Sequence, residues 1–152
     1  MIVKAVLSDK EKLTEIALKS KAFWGYSNAQ IESWRDDLTI TTKMFKDWNI
    51  YKYLVGNEIA GFYILNRANI RTSFLEFLFI LPTYIKQGIG KELLVHAIEY
   101  CKGGSSAILN VLSDPNAESF YAKHGFKVIA ERESSVPDRF LPEMELEILE
   151  NM

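Results

Sequence analysis

A mixed α/β domain built on one central sheet is the fold class the sequence predicts, and three observations predict it. Four stretches carry apolar residues at helical spacing, β-rich runs are interleaved with them, and the middle of the chain reads strand, helix, strand. At 152 residues and 17.5 kDa the chain has room for a single domain over 1–152, and for a core that needs no metal or disulfide staple. The expected sheet is twisted and mostly antiparallel, with six strands, or seven if Ile2–Leu7 adds one, and four flanking helices.

Taken in order, Ser8 and Glu11 have the spacing of a capping box, and Leu13, Ile16 and Ala17 fall on one face of a helix over about 9–20. Ser27 and Gln30 repeat the signal for a second helix over 28–37, where Ile31, Trp34 and Leu38 keep the period until the β-branched run Thr39–Thr42. Tyr51–Val55 and Ile59–Asn66 flank Gly56-Asn57-Glu58 as an antiparallel hairpin. Phe74–Leu81 is an apolar strand interrupted by Glu76. Past Gly88 and Gly90, a helical face of Ile89, Leu93, Leu94, Ala97, Ile98 and Cys101 runs to Gly103-Gly104. Ala107–Leu112 is a short buried strand, so a right-handed crossover makes 74–81 and 107–112 parallel neighbours. Asp114-Pro115 opens a fourth helix that Gly125 closes. A strand over 126–133 follows, and Met144, Leu146 and Ile148 alternate with glutamates in a last strand with one wet face. That carboxyl-terminal strand is expected to offer an edge on which a homodimer pairs.

Composition excludes several function classes. A net charge of −2 and a sequence pI near 5.7, with no strongly basic tract, argue against unaided nucleic-acid binding. No run of eighteen apolar residues and no leader pattern occurs, which predicts a soluble cytoplasmic protein that makes no membrane contact. The one cysteine, Cys101, cannot form an internal bridge and reads as a small core residue in a reducing compartment. No His, Cys and carboxylate cluster has metal-ligand spacing, so no metal is expected. His124 reads as a helix-end cap, and His96 as a solvated residue on the outer face of its helix. Nine Phe, seven Tyr and three Trp exceed the needs of a minimal core and point to a lined cleft.

The segment Tyr84-Ile85-Lys86-Gln87-Gly88-Ile89-Gly90-Lys91 carries the strongest chemical signal. Glycines let the backbone turn sharply and approach a ligand, while unpaired amides and the dipole at a helix start favour an anion. Phosphate binding and a purely structural glycine turn both remain open on spacing alone. A nucleoside-triphosphate loop is excluded because Lys and Ser or Thr do not follow in the required pattern. The dinucleotide fingerprint is excluded because Leu93 stands where a third Gly or Ala is needed.

Pro82 with Gly88-Ile89-Gly90-Lys91 resembles the signature of the GCN5-related N-acetyltransferases, a family that moves acetyl groups from acetyl-CoA to amines. Asn116-Ala117-Glu118-Ser119-Phe120-Tyr121-Ala122-Lys123-His124-Gly125-Phe126 resembles a second segment of the same family. The family's Arg or Gln falls on Ile85, a departure that touches a side-chain contact and leaves the backbone amides in place. The resemblance covers most of the chain, since Trp24-Gly25-Tyr26 and Glu133-Ser134-Ser135 with Arg139 and Leu141-Pro142 also look like one branch of small acetyltransferases. It implies the family's fold, with the parallel strand pair at the cofactor cleft, and acetyl-CoA as acyl donor. The cofactor residues it implies are Phe79, Ile80, Ile85, Lys86, Gln87, Gly88, Ile89, Gly90, Lys91, Asn116 and Phe120.

The same resemblance implies that Tyr121 is a general acid protonating the departing CoA thiolate, where the residue alone, on an apolar helical face, reads as core. Glu76, a carboxylate in an apolar strand, must be paired, wet or functional, and the resemblance makes it the base that takes the amine proton. Trp24, Tyr26, Ser135 and Arg139 are the acceptor candidates: aromatics pack a carbon chain or face a cation, and a guanidinium holds a carboxylate. The expected acceptor is a small-molecule amine or a peptide. The alternatives are a non-catalytic acyl-CoA sensor, which needs neither Tyr121 nor Glu76, and an enzyme acting on protein amino termini or lysines.

Overall fold

The computed structural model describes residues 1–67, 69, 71–104, 106–134 and 136–148. Seven strands, β1 Ile2–Lys4, β2 Asn49–Val55, β3 Glu58–Asn66, β4 Thr72–Ile80, β5 Ile108–Leu112, β6 Lys127–Glu133 and β7 Phe140–Glu147, lie in the order β1-β2-β3-β4-β5-β7-β6. Pairing is parallel at β4–β5 and antiparallel at β1–β2, β2–β3, β5–β7 and β7–β6. The helices are α1 Lys10–Phe23, α2 Asn28–Ser33, α3 Arg35–Leu38, α4 Thr42–Asp47, α5 Ile89–Lys102 and α6 Glu118–Lys123.

The mixed, mostly antiparallel sheet with its parallel pair is the architecture expected, and the differences are local. The Ser27–Gln30 capping box forms as read, Gln30 N donating to Ser27 Oγ at 3.1 Å. The Ser8 box does not form; residues Leu7–Asp9 make a 3₁₀ turn in which Val6 N donates to the Asp9 carboxylate at 2.9 Å. The expected helix over 28–37 is divided at Trp34, whose φ of −98° and ψ of 0° end α2 before α3 begins. Beyond it, α4 is a helix where the run of β-branched residues predicted an end. Thr41 caps it, accepting from Met44 N at 3.2 Å. The carboxyl-terminal strand is not an edge: β7 is paired on one side with β5 and on the other with β6, so β6 takes the edge position assigned to it.

Two compact units divide the chain, residues 1–65 with 77–96, and 66–76 with 97–152. In the first, β3 is buried along its length from Ile59 to Leu65, which is why its sequence is continuously apolar instead of alternating. Ile50 opposite Ile64 and Lys52 opposite Phe62 share one face, where Lys52 Nζ meets Asp9 at 2.7 Å; Tyr51 opposite Tyr63 take the other. Leu13, Ile16 and Ala17 of α1 are fully buried, as the helical period requires. In the second unit, Leu109, Val111 and Met144 are buried from β5 and β7, and Ala97 and Cys101 from the end of α5. Each such side chain contributes roughly 1.5–3 kcal/mol when large and fully buried. Cys101 is the core residue it was read to be, and burial raises its thiol above the usual value.

Candidate functional site

The glycine segment has the backbone an anion site needs. Strand β4 ends at Ile80, Pro82–Tyr84 makes one 3₁₀ turn, and Ile85 is extended. Lys86 then takes a left-handed φ of 69° and Gly88 one of 81°, sharp turns that bring the chain from the strand into helix α5. Gly88 O accepts the first helical bond, from Glu92 N at 3.0 Å. Among the described residues, none of the amides of Gly88, Ile89, Gly90 and Lys91 donates to a protein acceptor. Four amides at the start of a 14-residue helix are therefore left without a protein acceptor, with the positive end of its dipole behind them. The pyrophosphate of a CoA fits that donor set, and Ile85 leaves the donors intact because all are backbone.

The segment is held by the β2–β3 hairpin. Leu81 N donates to Ala60 O at 2.8 Å, and the Tyr84 hydroxyl donates to the Glu58 carboxylate. Gly61 permits this approach, since a Cβ there would lie 2.7 Å from Ile80 Cδ1 and 2.8 Å from the Phe79 carbonyl oxygen. Helix α5 is tied to the same strands through Tyr53, whose hydroxyl donates to Glu92 at 2.7 Å, and through His96. His96 is not the solvated residue expected. Its Nδ1 lies 2.7 Å from the hydroxyl of fully buried Tyr63, its ring packs on Tyr51 and Tyr63, and burial lowers its basicity. Trp24 and Tyr26 sit in the turn after α1. Trp24 is exposed against Phe23, while Tyr26 packs edge-on against Trp34 under the Lys21 ammonium.

The second unit carries the proposed acid and base. The β4–β5 register runs from Thr72↔Ile108 to Leu75↔Val111, and Glu76 is the next residue. Its carboxylate reaches solvent, yet its apolar strand removes enough water to raise its pKa, with a hydrogen bond to Asn66 acting the other way. Tyr121 on α6 is buried against Phe120 and Phe126, and that burial pushes its phenol above the usual tyrosine value. Its hydroxyl has no hydrogen-bond partner among the described residues. A neutral phenol with its proton uncommitted is what a general acid requires.

Asp114 organises the entry to α6. One carboxylate oxygen accepts from Asn116 N at 2.8 Å and Nδ2 at 2.9 Å, and the other meets Arg139 at 3.2 Å. The N-cap was legible from Asp-Pro, but its pairing with Arg139, 25 residues on, was not. Ser135 lies outside the described residues. Also unforeseen is Asn110, buried on β5, whose amide with Arg132 holds Glu143 below the usual carboxylate range. Among the described residues no three His, Cys, Asp or Glu gather to hold a metal, and no helix is long and apolar enough to cross a membrane.

A family model described as an acetyltransferase (GNAT) domain matches residues 11–147. Among solved structures, the PaiA N-acetyltransferase from Thermoplasma acidophilum in complex with coenzyme A is 25% identical, with a TM-score of 0.81 over 97% of this chain and 98% of that one. The ribosomal-protein-S18-alanine N-acetyltransferase from Escherichia coli is 21% identical, TM-score 0.74, over 97% and 93%. An aminoglycoside 6'-N-acetyltransferase complexed with coenzyme A is 14% identical, TM-score 0.75, over 100% and 99%. No curated protein matches the sequence.

Proposed function

The chain belongs to the GNAT acetyltransferase family, and from that premise we propose that it transfers an acetyl group from acetyl-CoA to a primary amine by direct attack in a ternary complex. The observation that carries this reading is the set of four unpartnered amides at Gly88–Lys91 behind the left-handed turns at Lys86 and Gly88. In the proposed reaction these amides hold the donor's pyrophosphate, helped by Lys86 and Lys91, with Phe79, Ile80, Ile85, Asn116 and Phe120 lining the rest of the donor. Glu76 takes a proton from the acceptor ammonium. The freed amine nitrogen attacks the thioester carbonyl carbon, the new C–N bond forms, the C–S bond breaks, and Tyr121 gives its proton to the departing sulfur.

The raised pKa of Glu76 supports its role, since a carboxylate lifted above its usual value is a better base. Burial keeps the Tyr121 phenol neutral but makes it a weaker acid, so its role rests on its place in the motif and its uncommitted hydroxyl. Trp24 and Tyr26 meet the acceptor's carbon chain in this reading, and Ser135 and Arg139 its polar end. Relatives named for a protein alanine and for an aminoglycoside resemble the chain equally well in fold, so architecture does not choose the acceptor class. We place the enzyme in the cytoplasm, where acetyl-CoA is made available to it.

Calorimetric titration with acetyl-CoA and desulfo-CoA, followed by free-thiol release over a panel of small amines, amino acids and peptides, tests the proposal. Saturable binding and thiol release on one acceptor class are expected. Binding without release on any acceptor would favour the sensor alternative, and no binding would refute the donor site itself.

A further inference from the structure

We propose that two copies of this chain pair edge to edge through β6, antiparallel about Ala130. Strand β6 ends the sheet order, and among the described residues nothing pairs with its outer side. Six of its seven residues are exposed, including Val128 at 43% and Ile129 at 50%, which an isolated edge leaves in water on both faces. Free strand edges present rows of N–H and C=O groups that pair with any strand able to approach, so the edge side chains decide what is admitted.

The side chains of Lys127–Glu133 are complementary to their own copy. Full overlap of two antiparallel seven-residue strands places Ala130 opposite Ala130, Lys127 opposite Glu133, and, by the two-fold axis, Glu133 opposite Lys127. Val128 then lies opposite Arg132 and Ile129 opposite Glu131, whose aliphatic stems cover the exposed apolar groups. Arg132 stays neutralised within its own chain, with Nε 2.6 Å from Glu143.

Sedimentation of the wild type, K127E and the reversed pair K127E/E133K tests this, with thermal unfolding of each to establish that all three fold. Lys127 is exposed, so neither substitution disturbs a core. The wild type should sediment as a dimer that weakens as salt rises. K127E sets Glu opposite Glu twice and should weaken association about tenfold or more. K127E/E133K should restore it. A monomeric wild type would overturn the proposal, as would a dimer indifferent to K127E, which would place the contact on another face. Failure of K127E/E133K to restore association while unfolding like the wild type would equally overturn it.

Discussion

Gly88→Ala separates the backbone requirement of the anion segment from every other role it has. At φ +81° a residue with a Cβ is strained, while an added Cβ would meet nothing within 4 Å, so the whole penalty is conformational. For an L-residue held in left-handed backbone that penalty is about 1–2 kcal/mol. The variant can absorb it in two ways. If the segment keeps its shape, the free protein loses stability, a fall in midpoint of about 2–8 °C for a chain of this length. If the segment relaxes instead, the free protein melts near normally and acetyl-CoA binds about 5–30-fold more weakly. Either way the acetyl-CoA-saturated protein is less stable than saturated wild type by the same amount. Differential scanning calorimetry with and without saturating acetyl-CoA reads both quantities. Gly103→Ala, where a Cβ meets only ordinary contacts of 3.6 and 3.8 Å, is the control and should leave both unchanged within about 1 kcal/mol. An unchanged saturated midpoint in Gly88→Ala would refute the claim that the left-handed turn builds the donor site.

Three further predictions follow from the geometry. Gly61→Ala forces a Cβ against Ile80 Cδ1 and the Phe79 carbonyl and should cost about 1–3 kcal/mol in denaturant unfolding; adding Ile80→Val should recover only part, because the carbonyl remains, and full recovery would put the crowding in the side chain alone. His96 has a lowered pKa in the fold, so its contribution to stability is present above its usual 6.5 and is lost as pH falls through the lowered value; His96→Asn, which keeps an acceptor near Nδ1, should flatten that part of the stability–pH curve, and a curve identical to wild type would dissociate the Tyr63 contact from it. Glu76 has a raised pKa, so Glu76→Gln should shift activity toward higher pH, where the amine loses its proton unaided, and an unaltered pH–rate profile would remove this carboxylate from the proton path.

What the sequence made legible, and what it did not, follows the range of the interactions concerned. The buried face Ile89, Leu93, Leu94, Ala97 and Cys101 of α5 and the Ser27–Gln30 cap depend on neighbours within one or two turns, and both were readable. Helix α4 was missed because the β-branched run Thr39–Thr42 reads as a helix end, although Thr41 caps a new helix by accepting from Met44 N. Trp34 keeps the apolar period of one helix, and only its backbone angles reveal that there are two. Alternation in 144–148 correctly predicts one buried face, Met144 and Ile148 lying inside, but a wet face does not distinguish an edge strand from an inner one. His96 misled for the same reason: its partner Tyr63 is 33 residues away and on another element. In the candidate site, the glycine spacing located the amides, whereas the ion pair of Asp114 with Arg139 and the support of Glu143 by Asn110 arise only when distant strands meet.

The central proposed step is the transfer of the Tyr121 proton to the thiolate of CoA, and free-thiol release by wild type and Tyr121→Phe, measured beside the acetyl-CoA affinity of each, tests it most directly. Phenylalanine keeps the ring packing against Phe120 and Phe126 and removes only the hydroxyl. The predicted result is turnover lowered about 100-fold or more with acetyl-CoA affinity unchanged. Equal turnover in the two proteins would contradict the proposed mechanism.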